Sequence, residues 1–197
     1  MAREIVSLFK DIEEINKYIL KHKVPDILFK ELENCKAYTD KLKSHELSYL
    51  LEHHNNGENS YQVSLPFNLI EGSFLQSYLI YLGQFFRSYY ENIPFEQTMR
   101  SVFMRKNHNH FDMYDFWINY AEKGSKNTMH THVGNLSGVI YFTDCEGSPI
   151  NFENNFSYKA SKGDLLIFPS VMKHGVEEHQ SDKTRITFAF NLYIETK

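Results

Sequence analysis

Between Met113 and Ile194 the sequence breaks into short runs of strand character separated by tight turn signals, and this rhythm limits the fold more than any other feature. The runs are Met113–Glu122, Thr128–Val133, Leu136–Thr143, Ile150–Glu153, Leu165–Pro169, His174–Glu178 and Arg185–Ile194. Turns fall at Gly134-Asn135, Asp144–Pro149 and Lys162-Gly163-Asp164, the last reached through Tyr158-Lys159-Ala160. About eight short strands in roughly 85 residues predict a barrel or sandwich. An aromatic content of 15% suits strands and a packed barrel interior.

The first half has a different pattern. Pro25–Lys43 places Ile27, Leu28, Leu32, Cys35 and Leu42 at roughly helical spacing, with Pro25 in the first turn. His45–His54 is expected to form a further short helix, capped by His53-His54, and the polar run to Asn59 a loop. Ser60–Leu65 alternates as a short strand. Gly72–Asn92 is a long amphipathic helix, apolar at Phe74, Leu75, Tyr78, Leu79, Leu82, Phe85 and Phe86 and halted before Pro94. The expectation is an α+β single domain over residues 1–197, with 1–112 a mostly helical support and 113–197 the strand core that carries the site. The aromatic-rich helix could serve a homodimer as well as a core.

Several function classes lose their support. A formal charge of -4 with scattered Lys and Arg gives no case for general nucleic-acid binding. No run of about 18 apolar residues predicts a membrane span, and the first ten residues lack the apolar stretch of a signal peptide. The two cysteines, Cys35 and Cys145, form no CxxC motif or disulfide framework, so a reducing cytoplasm is the expected setting. P-loop, dinucleotide and Ser-His-Asp signatures are missing.

What remains is a histidine pattern. His130-Thr131-His132 puts two imidazoles at i and i+2, the same face of a strand. His174 then follows a Gly163-strand-Pro169-turn unit that delivers it to a neighbouring strand. Three such ligands with open positions opposite let a metal do chemistry. Arg185 offers a fixed cation for a carboxylate co-substrate. By chance alone, a chain with ten histidines can also contain an H-x-H pair.

Trp117-Ile118-Asn119, Gly124, His130-Thr131-His132, Leu136–Tyr141, Gly163–Ser170, His174 and Arg185–Asn191 together resemble the iron(II)- and 2-oxoglutarate-dependent oxygenases, in the branch common in marine bacteria and their phages. The resemblance covers roughly residues 116–194 and extends only loosely into the first half. It implies a double-stranded β-helix, or jelly roll, with the N-terminal helices as a supporting layer. It implies Fe(II) held by His130, His132 and His174, with 2-oxoglutarate and O2 as co-substrates. Arg185 takes the position of the residue that pairs with the far carboxylate of 2-oxoglutarate, and Thr187 could add a hydroxyl to it. Asn119 and Tyr141 are further co-substrate candidates, their other readings being a turn-capping amide and a core tyrosine. The implied reaction releases succinate and CO2 and hydroxylates a small molecule or a protein side chain. Position 132 departs from the pattern, because most of the superfamily has Asp or Glu there. Three neutral imidazoles leave the site one unit more positive and put oxygen reactivity in question more than metal binding.

Other readings compete. His110-Phe111-Asp112 has the standard H-x-D spacing and would make His110, Asp112 and His174 a rival triad, although its polar flanks read as a loop near the mouth of the site. The spacing from Gly124 to His130-Thr131-His132 also fits the opening of a cupin motif, whose following glutamate is replaced by Leu136 and Ser137. A jelly roll that binds without turnover is a third reading, supported mainly by His132. Residue His179 is expected in an exposed turn.

Overall fold

Two antiparallel sheets face each other in the computed structural model, which describes residues 18–44, 60–91, 113–132, 134, 136–145 and 147–192. The strands are β1 (Leu20–Lys23), β2 (Ser60–Ser64), β3 (Met113–Ala121), β4 (Asn127–His130), β5 (Leu136–Tyr141), β6 (Ile150–Phe152), β7 (Ser157–Tyr158), β8 (Asp164–Pro169), β9 (His174–Val176) and β10 (Arg185–Leu192). The larger sheet has the order β1-β8-β5-β10-β3-β2 and the smaller β4-β9-β6-β7. Helices α1 (Asp26–Ser44) and α2 (Phe74–Glu91) complete the fold. This is the jelly roll with helical support expected from the sequence. The proposed short helix at His45–His54, its loop and the His108–Asp112 segment lie outside the described residues.

Strand β10 is buried on both faces, and its alternation divides the molecule into two functional layers. On one face Phe188 and Phe190 pair with Ile118, Phe116, Ile140 and Gly138, forming an aromatic layer with Phe116 and Phe188 stacked at 6.5 Å. Tyr120 on this face reaches the helices: its hydroxyl donates to Asp40 at 2.7 Å and lies against the Thr39 hydroxyl on α1. The other face carries Arg185, Thr187 and Asn191, all buried, and looks toward the smaller sheet.

Helix α2 begins where its free backbone amides find acceptors. Ser73 Oγ accepts from the Gln76 amide at 3.1 Å, and the Gln76 side chain returns a bond to the Gly72 amide. Glu31 on α1 accepts from the Leu75 amide at 2.6 Å, tying the two helices together. Leu75, Leu79 and Leu82 form the buried stripe of α2. Phe74, Tyr81 and Phe85 on the same helix are exposed.

The N-terminal half also supplies both edges of the larger sheet. Strand β1 has no apolar alternation and is held by backbone pairing to β8, from Leu20↔Ile167 to Lys23↔Asp164. Its lysines do the rest: Lys23 pairs with Asp164 at 2.5 Å, and Lys21 lies over the Phe156 and Tyr158 rings. A short, lysine-rich edge also discourages sheet-to-sheet association.

Gly138 faces Phe190 across the β5–β10 pair, and a Cβ there would lie 2.1 Å from the phenyl ring. Gly138→Ala therefore has to displace a fully buried aromatic ring. It is expected to cost about 1–3 kcal/mol, read as a lower midpoint in urea unfolding; an unchanged midpoint would mean that the aromatic layer is looser than described.

Candidate metal centre

His130 and His174 are direct register partners across β4 and β9, so the pairing itself brings the two side chains together on one face. His132 arrives differently. Strand β4 ends at His130, and the backbone amide of His132 donates instead to the Ser170 carbonyl at 2.9 Å. The i, i+2 strand geometry expected for the two histidines is thus replaced by an anchor to the turn after β8. The ring separations are 4.8 Å for His130 and His132, 4.5 Å for His130 and His174 and 5.1 Å for His132 and His174. Potential ligand atoms of all three lie within 4.8 Å of one another.

Hydrogen bonds select which nitrogens face inward. Nδ1 of His130 donates to the Thr128 carbonyl at 2.7 Å, and Nδ1 of His174 donates to the Met172 carbonyl at 3.0 Å. Both Nε2 atoms are left with lone pairs, the arrangement a metal ligand requires. Nε2 of His130 and of His132 lie 3.2 Å apart. Burial, reinforced by the neighbouring His130 and then offset by the Met172 bond, pushes His174 down to about 3. The imidazole is therefore neutral at neutral pH, and the donor set fits a divalent ion.

The walls are ordered. Phe168 packs edge-on against His174 at 4.6 Å, and Trp117 lies 5.7 Å from the His132 ring. Behind His132 runs a buried chain of hydroxyls: Ser170 donates to Ser137 at 2.9 Å, and Ser137 donates to Asn191 at 2.8 Å. Pattern reading missed this network because three small polar residues on three strands carry no local signal. Gly175 is a second position where only glycine fits, since a Cβ would lie 2.8 Å from the Asn127 carbonyl of β4.

Arg185 begins β10 on the inner face, 9% exposed, and one guanidinium nitrogen lies 3.4 Å from the Ser148 carbonyl as donor. It also faces the Cys145 thiol, which burial pushes up despite that cation. Thr187 is its neighbour two residues on, and Asn119 donates to the Thr187 hydroxyl at 3.4 Å. Tyr141 is the register partner of Thr187 and is almost fully buried, with its hydroxyl held well above the usual tyrosine range by desolvation. Arg185 and Asn119 line a cavity of about 50 Å3 beneath the larger sheet. His179, expected in an exposed turn, is instead 2% exposed, with Nδ1 2.8 Å from the Ser148 hydroxyl and Nε2 2.7 Å from the Lys183 carbonyl. A polar sequence neighbourhood hid it, because its partners come from distant loops. The rival His110 and Asp112 lie outside the described residues.

Residues 147–191, which include His174 and Arg185, match a family model described as "Putative 2OG-Fe(II) oxygenase". No curated protein matches the chain. Among solved structures, the non-heme alpha ketoglutarate dependent epimerase SnoN from nogalamycin biosynthesis aligns with TM-score 0.58 and 13% identity, over 91% of this chain and 80% of that one. The viral collagen prolyl hydroxylase of Paramecium Bursaria Chlorella virus-1, solved with 2OG, aligns with TM-score 0.55 and 15% identity, over 91% and 97%. HygX from Streptomyces hygroscopicus, solved with nickel and 2-oxoglutarate, aligns with TM-score 0.54 and 10% identity, over 91% and 84%. At these identities the likeness is one of fold. The chain has the double-stranded β-helix of the 2-oxoglutarate-dependent oxygenases.

Two outcomes test the site. An unfolded histidine titrates near 6.5, so metal-free protein should lose stability as pH falls from about 6.5 toward 3, where His174 must charge on unfolding but not in the fold. Urea midpoints across that range should fall for the wild type and flatten in His174→Gln; equal slopes would refute the buried neutral imidazole. Gly175→Ala should push β4 from β9 and weaken Co(II) or Mn(II) binding by at least tenfold, about 1.4 kcal/mol, in a calorimetric titration, and unchanged affinity would show that the close approach does not set the His130–His174 distance.

Proposed function

We propose that this protein is an Fe(II)- and 2-oxoglutarate-dependent dioxygenase in which His130, His132 and His174 hold the metal and Arg185 takes the far carboxylate of the co-substrate. The observation that carries the reading is the meeting of three imidazoles, two with Nδ1 bonded to backbone carbonyls, at the smaller sheet, with a buried arginine on the larger sheet of the same fold. The family match over residues 147–191 and the shared fold support it. When bound, Fe(II) with 2-oxoglutarate supplies O2-dependent oxidation of a substrate C–H bond, hydroxylation by default, with succinate and CO2 as co-products.

The chain's own contribution is placement and exclusion of water. Met172 and Thr128 carbonyls keep His174 and His130 in the ligating tautomer. The Ser170 carbonyl holds His132 in place of a strand bond. Ser148 fixes Arg185, whose planar fork suits a carboxylate, with Thr187, Asn119 and Tyr141 as further co-substrate contacts. Phe168 and Trp117 shield the metal side. Substrate is a small molecule or a protein side chain. The unpaired, buried Cys35 and Cys145 suit a cytoplasmic setting. The all-imidazole donor set favours one other reading, a cupin-type dioxygenase or isomerase, in which Arg185 has no role.

Anaerobic Fe(II) reconstitution with 2-oxoglutarate separates the two. A weak visible charge-transfer band should appear only with both components and be lost in His132→Ala, His174→Ala and Arg185→Ala. Metal binding without the band in the wild type would favour the cupin reading.

A further inference from the structure

The outer face of the smaller sheet holds a groove that the metal reading does not use. Along β6 and β9, Phe152 and His174 are register partners on the inner side. Asn151 and Gly175, one residue away on each strand, are partners on the outer side. The groove is an open cavity of about 780 Å3 that crosses all four strands, from Met129 on β4 past Gly175 and Asn151 to Ser157 on β7.

Glu153, which lines this groove, is unexplained by the packing of the fold. It is 9% exposed and opens the 3-10 turn after β6. Its amide donates to the Lys173 carbonyl at 3.0 Å, and its carboxylate accepts from the Lys173 amide at 3.4 Å. Among the described residues, no cation pairs with it. Folded proteins seldom bury a carboxylate this far without a cation, because its lost hydration is then poorly replaced. A cation for Glu153 can arrive through the groove.

The rest of the lining indicates what carries that cation. Glu177 and Glu178 add two exposed carboxylates, against one ammonium, Lys126. Asn151 donates to Glu177 at 3.1 Å and Gln180 to Glu178 at 3.1 Å, which orients both side chains beside the groove. The three carboxylates are not gathered around a point as metal ligands would be; among the described residues only the three histidines are. Set apart in this way, they match positive charges spaced along a chain. Three interstrand spacings of about 4.8 Å give a width of about 14 Å, which an extended peptide crosses in about four residues. Met129, 48% exposed, offers a polarizable apolar surface for lysine or arginine stems.

We propose that this face is a docking site for an extended, basic segment of a partner protein, with one lysine or arginine side chain reaching Glu153 and others meeting Glu177 and Glu178. The site lies on the reverse of the strands that carry His130 and His174, and it requires neither metal nor 2-oxo acid.

Fluorescence anisotropy of the full chain with a labelled hexapeptide of alternating arginine and glycine, at about 0.15 M salt, tests this. The peptide should bind, and one with glutamate in place of arginine should not. Glu153→Gln should raise the Kd about tenfold, and so should Glu177→Gln combined with Glu178→Gln. Glu153→Gln should also melt at the wild-type temperature or above it, because it removes a buried charge that has no counter-ion. Should it melt lower, the exposed pair alone decides. Glu33→Gln, on α1 beyond the larger sheet, removes the same charge and should leave the Kd unchanged. An equal loss in Glu33→Gln would overturn the site in favour of general attraction to an acidic protein. No binding by the wild type, or unchanged affinity in both groove variants, would overturn it outright. Displacement of the peptide by equimolar spermine would overturn the protein partner in favour of a free polyamine.

Discussion

Burial of β10 on both faces is the constraint from which the rest of the molecule follows. A strand with one wet face can alternate apolar and polar residues freely, but β10 has to find partners for everything it carries. The aromatic side is satisfied by Phe116, Ile118 and the helices beyond. The polar side is met residue by residue, Asn191 through Ser137 and Ser170, Thr187 through Asn119, and one terminal guanidinium nitrogen of Arg185 through Ser148. Phe188 and Phe190 hold the strand rigidly from behind, so the inner residues gain fixed positions without contributing apolar contacts of their own. The packing layer and the chemical layer are two sides of one strand.

The metal side is governed by desolvation rather than by charge. Nearby aromatic rings and the other imidazoles hold His174 neutral, and carbonyl acceptors orient the proton it keeps. A carboxylate at position 132 would have brought a negative charge into this pocket. His132 brings none. Affinity then comes from orientation of lone pairs, with no attraction between ion and anion to assist it, which explains why so many backbone groups are committed to aiming these rings.

Much of the fold was legible in the sequence because strand and turn signals are local. Met113–Glu122, Leu165–Pro169 and Arg185–Ile194 came close to β3, β8 and β10, and the Gly72–Asn92 helix differs from α2 by a turn's fraction at its start. Strand β1 was not legible, since Leu20–Lys23 pairs through backbone groups and long lysine side chains. Of the site, the histidines and Arg185 were legible from type and spacing. The anchoring of His132 by Ser170, the Ser137–Asn191 chain, and the burial of His179 were not, because each depends on partners brought together only by the closed barrel.

The two halves of the site are built on unequal foundations. Arg185 stands on an eight-residue strand paired along both edges in the larger sheet, whereas His174 starts a strand of three residues and His130 ends a bulged one of four. Local opening free energies track such differences in pairing and burial. The histidine side therefore opens more readily than the arginine side, and an ion bound there, as proposed, would act as a rivet for the smaller sheet. On the proposed reading a loading order follows: the metal would come first and complete the wall against which the carboxylate end is then gripped.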